Sequence, residues 1–198
     1  IFFFDNLSIE NISSLKGIKK EKILFLVISK SGNTIETISN LLSLNILKKN
    51  KKNIIIITEK RESILYYIAK KFNLFFIEHR NYIGGRYSVL PEVGVVPSYL
   101  MGINILSLNK NLKEYTNGNK KMFLKDSVIK IANILKSKKM NNLIYLNYEK
   151  NLEKFLHWSQ QLVAESLGKK KMGFLPVVSN NPKDHHSLLQ LYLDGPRD

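Results

Sequence analysis

The stretch KILFLVISKSGNTIET, residues 22–37, decides the fold. Its first part, KILFLVIS (22–29), is almost continuously apolar and rich in β-branched and aromatic side chains. Such a run reads as a strand covered on both faces, the condition of a strand inside a parallel sheet. A small polar loop follows, and then helical patterning over 34–49. The alternation continues along the chain. NIIIIT (53–58), LFFIE (74–78), LIYLN (143–147) and LPVVS (175–179) read as further strands, with helical patterning over 61–72, 88–107, 121–138, 151–168 and 184–193. Strands alternating with amphipathic helices form βαβ units, which predicts an α/β protein with a parallel, doubly wound sheet. The polar segment LNKNLKEYTNGNK (108–120), with its Asn-Gly, marks the boundary between a first part (1–107) and a second (108–198). The chain opens on the strand-like IFFF without an initiator Met and stops at DGPRD just after a helix, so both ends are expected to be internal to a longer protein.

Composition narrows the function. With 198 residues, 44% of them hydrophobic, the chain can bury a core and is not a disordered sequence. No apolar run reaches the ~18–20 residues of a membrane span, and IFFFDNLSIE lacks the basic leader of a signal peptide. There is no cysteine, hence no disulfide, thiolate metal site or cysteine nucleophile. The net charge of +15 points toward anions, but only four of the 31 basic residues are arginine, the residue of bidentate phosphate and base recognition. The lysines are spread along the chain rather than clustered with aromatics, so a nucleic-acid face is not expected and small anionic metabolites are.

Four motifs carry candidate chemistry. SKSGNT places Ser29, Lys30, Ser31 and Thr34 between a strand's carboxyl end and a helix N-terminus, where free amides and the helix dipole favour an anion. Gly32 permits close backbone approach. The same hydroxyls can serve as ordinary N-caps. The loop is neither a Walker loop nor a dinucleotide fingerprint. In NYIGGRYSVLPEVG, the pair Gly84–Gly85 predicts a tight turn with positive φ before a helix starting near Ser88. Arg86 is then either a cation for a developing oxyanion or half of a surface ion pair.

Winding 151–168 at ~100° per residue separates two stripes. Leu152, Phe155, Leu156, Ser159, Val163, Ser166 and Leu167 face the sheet, while Lys154, Trp158, Gln161 and Glu165 share the opposite side. Glu165 is therefore either an exposed acid or a base lining a cleft with Trp158 and Gln161. NPKDHHSLLQL offers His185 and His186 beside Asp184. Adjacent helical residues diverge, and the pair lacks the HxxxH spacing of a helical metal site, so no metal is expected. One histidine as a proton shuttle remains open beside a helix start capped by Asp184.

These motifs carry a family resemblance. SKSGNTIET resembles the sugar-phosphate loop of sugar isomerase (SIS) domains, GGRYS the GGRxS signature of the glucose-6-phosphate isomerase family, and QQLVAESLGKK its second signature. His186 followed four residues later by Gln190 is similar to the family's histidine helix. The ordered set resembles the bacterial-type family over essentially the whole chain. The resemblance implies two doubly wound, flavodoxin-like SIS lobes, the first incomplete at its N-terminus. It implies interconversion of D-glucose 6-phosphate and D-fructose 6-phosphate in glycolysis and gluconeogenesis, in the cytoplasm, without metal or organic cofactor.

By the same resemblance Glu165 is the base, His186 the ring-opening acid/base, and Arg86 the stabiliser of the cis-enediol. Ser29, Lys30, Ser31 and Thr34 hold the phosphate, and Gly85 and Gln161 contact substrate. A homodimer is implied, with His186 reaching the partner's site, and neither nucleic acid nor membrane is a partner. The family's early Gly-Gly-Ser loop and its C-terminal lysine helix are not in this sequence, so the 198-residue chain is expected to be weakly active or inactive. A non-catalytic sugar-phosphate module of the SIS type is the alternative, although such a module has no need of Gln161, Glu165 and His186 together. His79 and His157 match no family position.

Overall fold

Ile54, Ile56 and Ile57 are wholly buried on strand β2 (Ile54–Thr58), which pairs in parallel with β1 (Phe25–Ile28) on one edge and β3 (Phe75–Glu78) on the other. A strand with neighbours on both edges and cover on both faces has no solvent-facing position, which is why NIIIIT shows no alternation. The structure, a computed structural model, describes residues 1–110, 112–137 and 140–196. It divides into two compact units, Ile1–Ile105 and Leu106–Asp198. The protein is α/β with parallel sheets, and all five expected strands are present.

In the first unit the order β1-β2-β3 places Val27 opposite Ile56 and Ile57 opposite Ile77. The helices are α1 (Ile9–Ser13), α2 (Ile35–Ser43), α3 (Ile64–Lys71) and α4 (Glu92–Leu100), with α5 (Ile105–Asn109) at the junction of the units. The core joins Phe25, Val27, Ile54 and Ile56 of the sheet to Leu41 of α2 and Leu65, Ile68 and Ala69 of α3. Burying each large side chain stabilises the fold by roughly 1.5–3 kcal/mol. Ser63 caps α3 by accepting from the Tyr66 N–H, and Lys70 and Lys71 complement the dipole in its last turn.

The helices are shorter than their apolar periodicity, and left-handed residues explain it. Helix α2 stops at Ser43 because Asn45 takes φ 46°, a conformation asparagine tolerates at helix ends. The single helix expected over 88–107 starts only after Pro91 and is cut by Gly102 at φ 81°. There the Gly102 N–H bonds to Tyr99 O and the Ile103 N–H to Ser98 O, a Schellman close. Residues 1–4 form no strand. Instead the Asn40 side-chain amide donates to the carbonyls of Phe4 and Asn6, while Phe4 packs on the core.

The second unit contains α6 (Leu112–Thr116), α7 (Lys121–Ser137), β4 (Asn142–Asn147), α8 (Glu153–Leu167), β5 (Leu175–Asn180) and α9 (Leu189–Asp194). Strands β4 and β5 are parallel, with Tyr145 opposite Val178 and Asn147 opposite Asn180. Helix α8 is tied to this sheet by polar contacts. Gln160 donates to the Pro176 carbonyl at 2.7 Å, Tyr145 and Ser159 hydroxyls bond at 3.1 Å, and the Asn180 amide donates to Glu153 at 2.9 Å.

Truncating Ile56 to alanine leaves a cavity between two neighbouring strands and two covering helices. We expect a loss of about 3–4 kcal/mol, read as a lower midpoint in urea unfolding. Ile55→Val, on the same strand at a half-buried position, should cost about 1 kcal/mol.

Candidate functional site

The hydroxyl loop sits where the topology puts it, directly beyond the carboxyl end of β1. Ser29 is buried, and its hydroxyl bonds that of Thr34 at 2.7 Å. The Gly32 N–H donates to Ser29 Oγ and the Asn33 N–H to Ser31 Oγ, each at 3.2 Å. A hydroxyl that accepts from an amide keeps its own proton to donate. Thr34 stands at the N-cap of α2 with extended backbone, yet its side chain makes no capping bond. Its oxygen faces Ser29 and Ser31 instead. Ser29, Ser31 and Thr34 are therefore one cluster at a helix N-terminus, the arrangement that holds anions. Gly32, at φ 69°, leaves no room for a β-carbon, which would lie 2.2 Å from Ser63 Oγ. Its close approach is to the start of α3.

A cavity of about 720 Å³ opens along the carboxyl ends of β1, β2 and β3, where open α/β sheets take ligands. Its lining includes Ser31 and Thr34, the cations Lys30, Lys60, Arg61 and Arg80, and the acids Glu59 and Glu78. Glu59, almost fully buried, pairs with Lys30 at 3.5 Å and with Arg61 at 3.0 Å. His79 is wholly buried, its Nδ1 bonded to the Glu92 carboxylate, which also accepts the Arg80 N–H. Burial raises the Glu92 carboxyl, but its own backbone N–H, His79 and the Arg80 N–H together hold it below its ordinary value. Neither Glu59 nor the His79–Glu92 pair was named from sequence. The signal was available: EKRES follows β2, and HR follows β3, at the same topological position that SKSGNT holds after β1.

The Gly84–Gly85 pair does not take positive φ. Gly84 is extended (φ −65°, ψ 148°) and begins a 3-10 turn closed by the Tyr87 N–H to Gly84 O at 2.9 Å. Extended backbone followed by a single tight turn needs no left-handed residue. Gly85 is exposed, with open space where a β-carbon would stand. Arg86 is half-buried in this turn, its guanidinium 4.6 Å from the Tyr87 ring. The helix beyond begins at Glu92 rather than near Ser88, because Pro91 serves as its N-cap.

In the second unit Gln161 and Glu165 lie one turn apart on the exposed side of α8, and the Gln161 amide donates to the Glu165 carboxylate at 2.8 Å. Ser159, Gln160 and Val163 are half-buried, and Ser159 and Gln160 bond the sheet. Leu152 and Phe155, expected on the sheet face, are exposed. Phe155 meets Trp158 edge to face at 5.8 Å, which gives the aromatic a partner on its own helix. His186 and Gln190 do not share one helix. Lys183–His185 form a 3-10 turn with His186 as its C-cap, and α9 begins at Leu189. Asp184 does not cap that helix either. Its carboxylate accepts from the Asn180 N–H at 2.7 Å and from Ser179 at 3.2 Å, which ties the turn to the end of β5. His185 bonds the Tyr148 hydroxyl at 2.8 Å, and His186 is exposed.

Parallel strands whose carboxyl ends carry a hydroxyl cluster and a charged cavity define an open α/β protein, whose ligands are taken at that edge. The phosphoglucose isomerase family model matches residues 1–173. The chain belongs to the phosphoglucose isomerase family. It is 34% identical over 214 residues to a glucose-6-phosphate isomerase of Methanocaldococcus jannaschii, covering all of this chain and 51% of that protein. It is likewise 34% identical over 217 residues to that of Campylobacter jejuni, again covering all of this chain and 51% of the relative. The chain thus spans about half the length of the curated relatives it matches. A crystal structure of a hypothetical protein from Thermus thermophilus superposes with a TM-score of 0.79 at 25% identity, over 98% of this chain and 50% of that one. A glucose-6-phosphate isomerase from Chlamydia trachomatis shares the fold, with a TM-score of 0.64 at 20% identity, over 95% of this chain and 40% of that one. His186 lies beyond the stretch that the family model matches. Among the described residues no helix is long and apolar enough to cross a membrane.

Because Glu92 is held below its ordinary value, it adds stability above the usual carboxylate range of about 4.3, and that stability is lost as pH falls through the lowered value. Glu92→Gln should therefore cost about 1–2 kcal/mol near pH 7. The gap from the parent should shrink on acidification to below about pH 4, as followed by urea unfolding at several pH values.

Proposed function

We propose that this chain carries the phosphate-holding and proton-transferring residues of an aldose–ketose isomerase that interconverts D-glucose 6-phosphate and D-fructose 6-phosphate. The observation that carries the reading is the Ser29–Ser31–Thr34 cluster, whose hydroxyls face one another at a helix N-terminus instead of capping it. The relatives' names and the family membership support it. In this reading the cluster and Lys30 hold the phosphate dianion, and Gly85 brings backbone close to the sugar.

The chemistry follows from the substrate. His186 assists ring opening by moving a proton between the ring oxygen and the anomeric hydroxyl, which frees the C1 aldehyde. Glu165 removes the proton from C2, and the electron pair of that bond moves toward the carbonyl to give a cis-enediol. Arg86 balances the negative charge that develops on the oxygens. The O2 hydroxyl proton passes to O1 and Glu165 returns its own proton to C1, so C2 becomes the carbonyl and O1 a hydroxyl. One carbon is oxidised and its neighbour reduced within the same molecule, so no redox cofactor is required. Gln161, which donates to Glu165 at 2.8 Å, orients the carboxylate. We place the reaction in glycolysis and gluconeogenesis, in the cytoplasm, in a homodimer whose partner subunit receives His186.

Replacing Glu165 by glutamine preserves the shape and removes the base. In the whole protein, fructose 6-phosphate turnover should fall by about 10²–10⁴-fold in kcat, the usual scale of general-base catalysis, with KM little changed. A variant as active as the parent would exclude Glu165 as the base.

A further inference from the structure

Three successive carbonyls of the hydroxyl loop are caught by the end of β2 and the segment after it. The Lys30 carbonyl accepts from Thr58 Oγ1 and from the Glu59 N–H, both at 3.2 Å. The Ser31 carbonyl accepts from the Arg61 guanidinium at 3.3 Å, and the Gly32 carbonyl from the Leu65 N–H at 3.0 Å. In a trans peptide the carbonyl of one residue and the N–H of the next point in opposite directions. Fixing these three carbonyls therefore aims the N–H groups of Ser31, Gly32 and Asn33 away from the brace. Those of Gly32 and Asn33 end on Ser29 Oγ and Ser31 Oγ. Thr58–Leu65 thus sets the direction of the Ser31 N–H and, through the amides of Gly32 and Asn33, the placement of the Ser29 and Ser31 hydroxyls on which an anion would rest.

One side chain holds this brace together. Glu59 is 7% exposed at its side chain, an unusual burial for a carboxylate, and both its oxygens are engaged, one by Lys30 Nζ and the other by Arg61 Nε. Its backbone N–H meanwhile secures Lys30. Glu59 thus reaches two residues of the hydroxyl loop, Lys30 directly and Ser31 through Arg61.

We propose that Glu59 is a positioning residue for phosphate binding, acting through Lys30 and Arg61 rather than touching the ligand. This role rests on the phosphate reading of the hydroxyl loop given above. It makes a counterintuitive demand. An acid beside an anion site weakens binding by simple Coulomb repulsion, so its removal ought to tighten binding if charge were its whole effect. If Glu59 positions the donors, its removal weakens binding instead.

The test is a titration of the 15N-labelled chain with inorganic phosphate, following the amides of Ser31, Gly32 and Asn33. Glu59→Gln should raise the phosphate Kd on the order of tenfold, the scale of one lost charge-assisted hydrogen bond. Glu59→Asp keeps the charge but shortens the reach, and should also raise Kd, by a smaller factor. Thermal melts establish that each variant is folded at the titration temperature. A loss of stability alone leaves the Kd of the folded fraction unmoved. Should Glu59→Gln not fold, Glu59→Asp decides. Tighter or unchanged binding by Glu59→Gln, or unchanged binding by Glu59→Asp, overturns the role. Absence of any phosphate response in the parent chain overturns the reading of the loop itself, and the role of Glu59 with it.

Discussion

Strand β2 is paired on both edges and covered on both faces, and the chemistry of the first unit hangs on that burial. With Ile54, Ile56 and Ile57 inaccessible to water, β1 and β3 are held in parallel register on either side. Parallel strands end at the same rim. The residue directly after each strand, Ser29, Glu59 and His79, is polar and buried there. Each also ties its backbone N–H to a neighbouring strand end: Ser29 to Ile57 O, Glu59 to Lys30 O and His79 to Thr58 O. An apolar constraint at the centre of the sheet thus becomes a polar arrangement at its edge.

Buried polar groups need partners, and their pairing gives the rim its form. Glu59 is stabilised by two cations, and His79 by Glu92. The hydroxyls of Ser29 and Thr34 bond each other. The second unit repeats the principle with different residues. Among its described residues the buried positions are Asn147, Pro176 and Ser179, and two of these lie near the carboxyl ends of β4 and β5. The Asn147 amide donates to Asn180, and Ser179 donates to Asp184. In both units most of the buried polar side chains lie at strand ends.

Much of this was legible in the residues. Continuous apolar runs marked all five strands, but only β1 and β2 have no exposed position, while Phe75 of β3, Leu146 of β4 and Leu175 of β5 are exposed. The Ser/Thr loop was legible as a polar turn between strand and helix, but its hydroxyls could equally have been N-caps, and only the structure turns Thr34 toward Ser29 and Ser31. The 3.6-residue period placed Gln161 one turn before Glu165, and the two meet at 2.8 Å. Helix ends were less legible. Apolar periodicity runs past Asn45 and Gly102, and only the backbone angles of those residues stop the helices. Gly84–Gly85 looked like a positive-φ turn because paired glycines permit one, but permission is not requirement, and the 3-10 turn is closed without it. His186 and Gln190 have helical spacing, yet Asp184 binds the end of β5 and interrupts the helix between them.

The sequence by itself determined the α/β class, the places of the strands, and the residues at their carboxyl ends, since these follow from hydrophobic period and local turn chemistry. Only the tertiary structure decided what those residues do to one another. That Glu59 grips Lys30 and that Gly32 is required by Ser63 depend on contacts between segments about thirty residues apart. Local propensity carries no information about such partners. They exist because β2 aligns its neighbours and brings three strand ends to one rim.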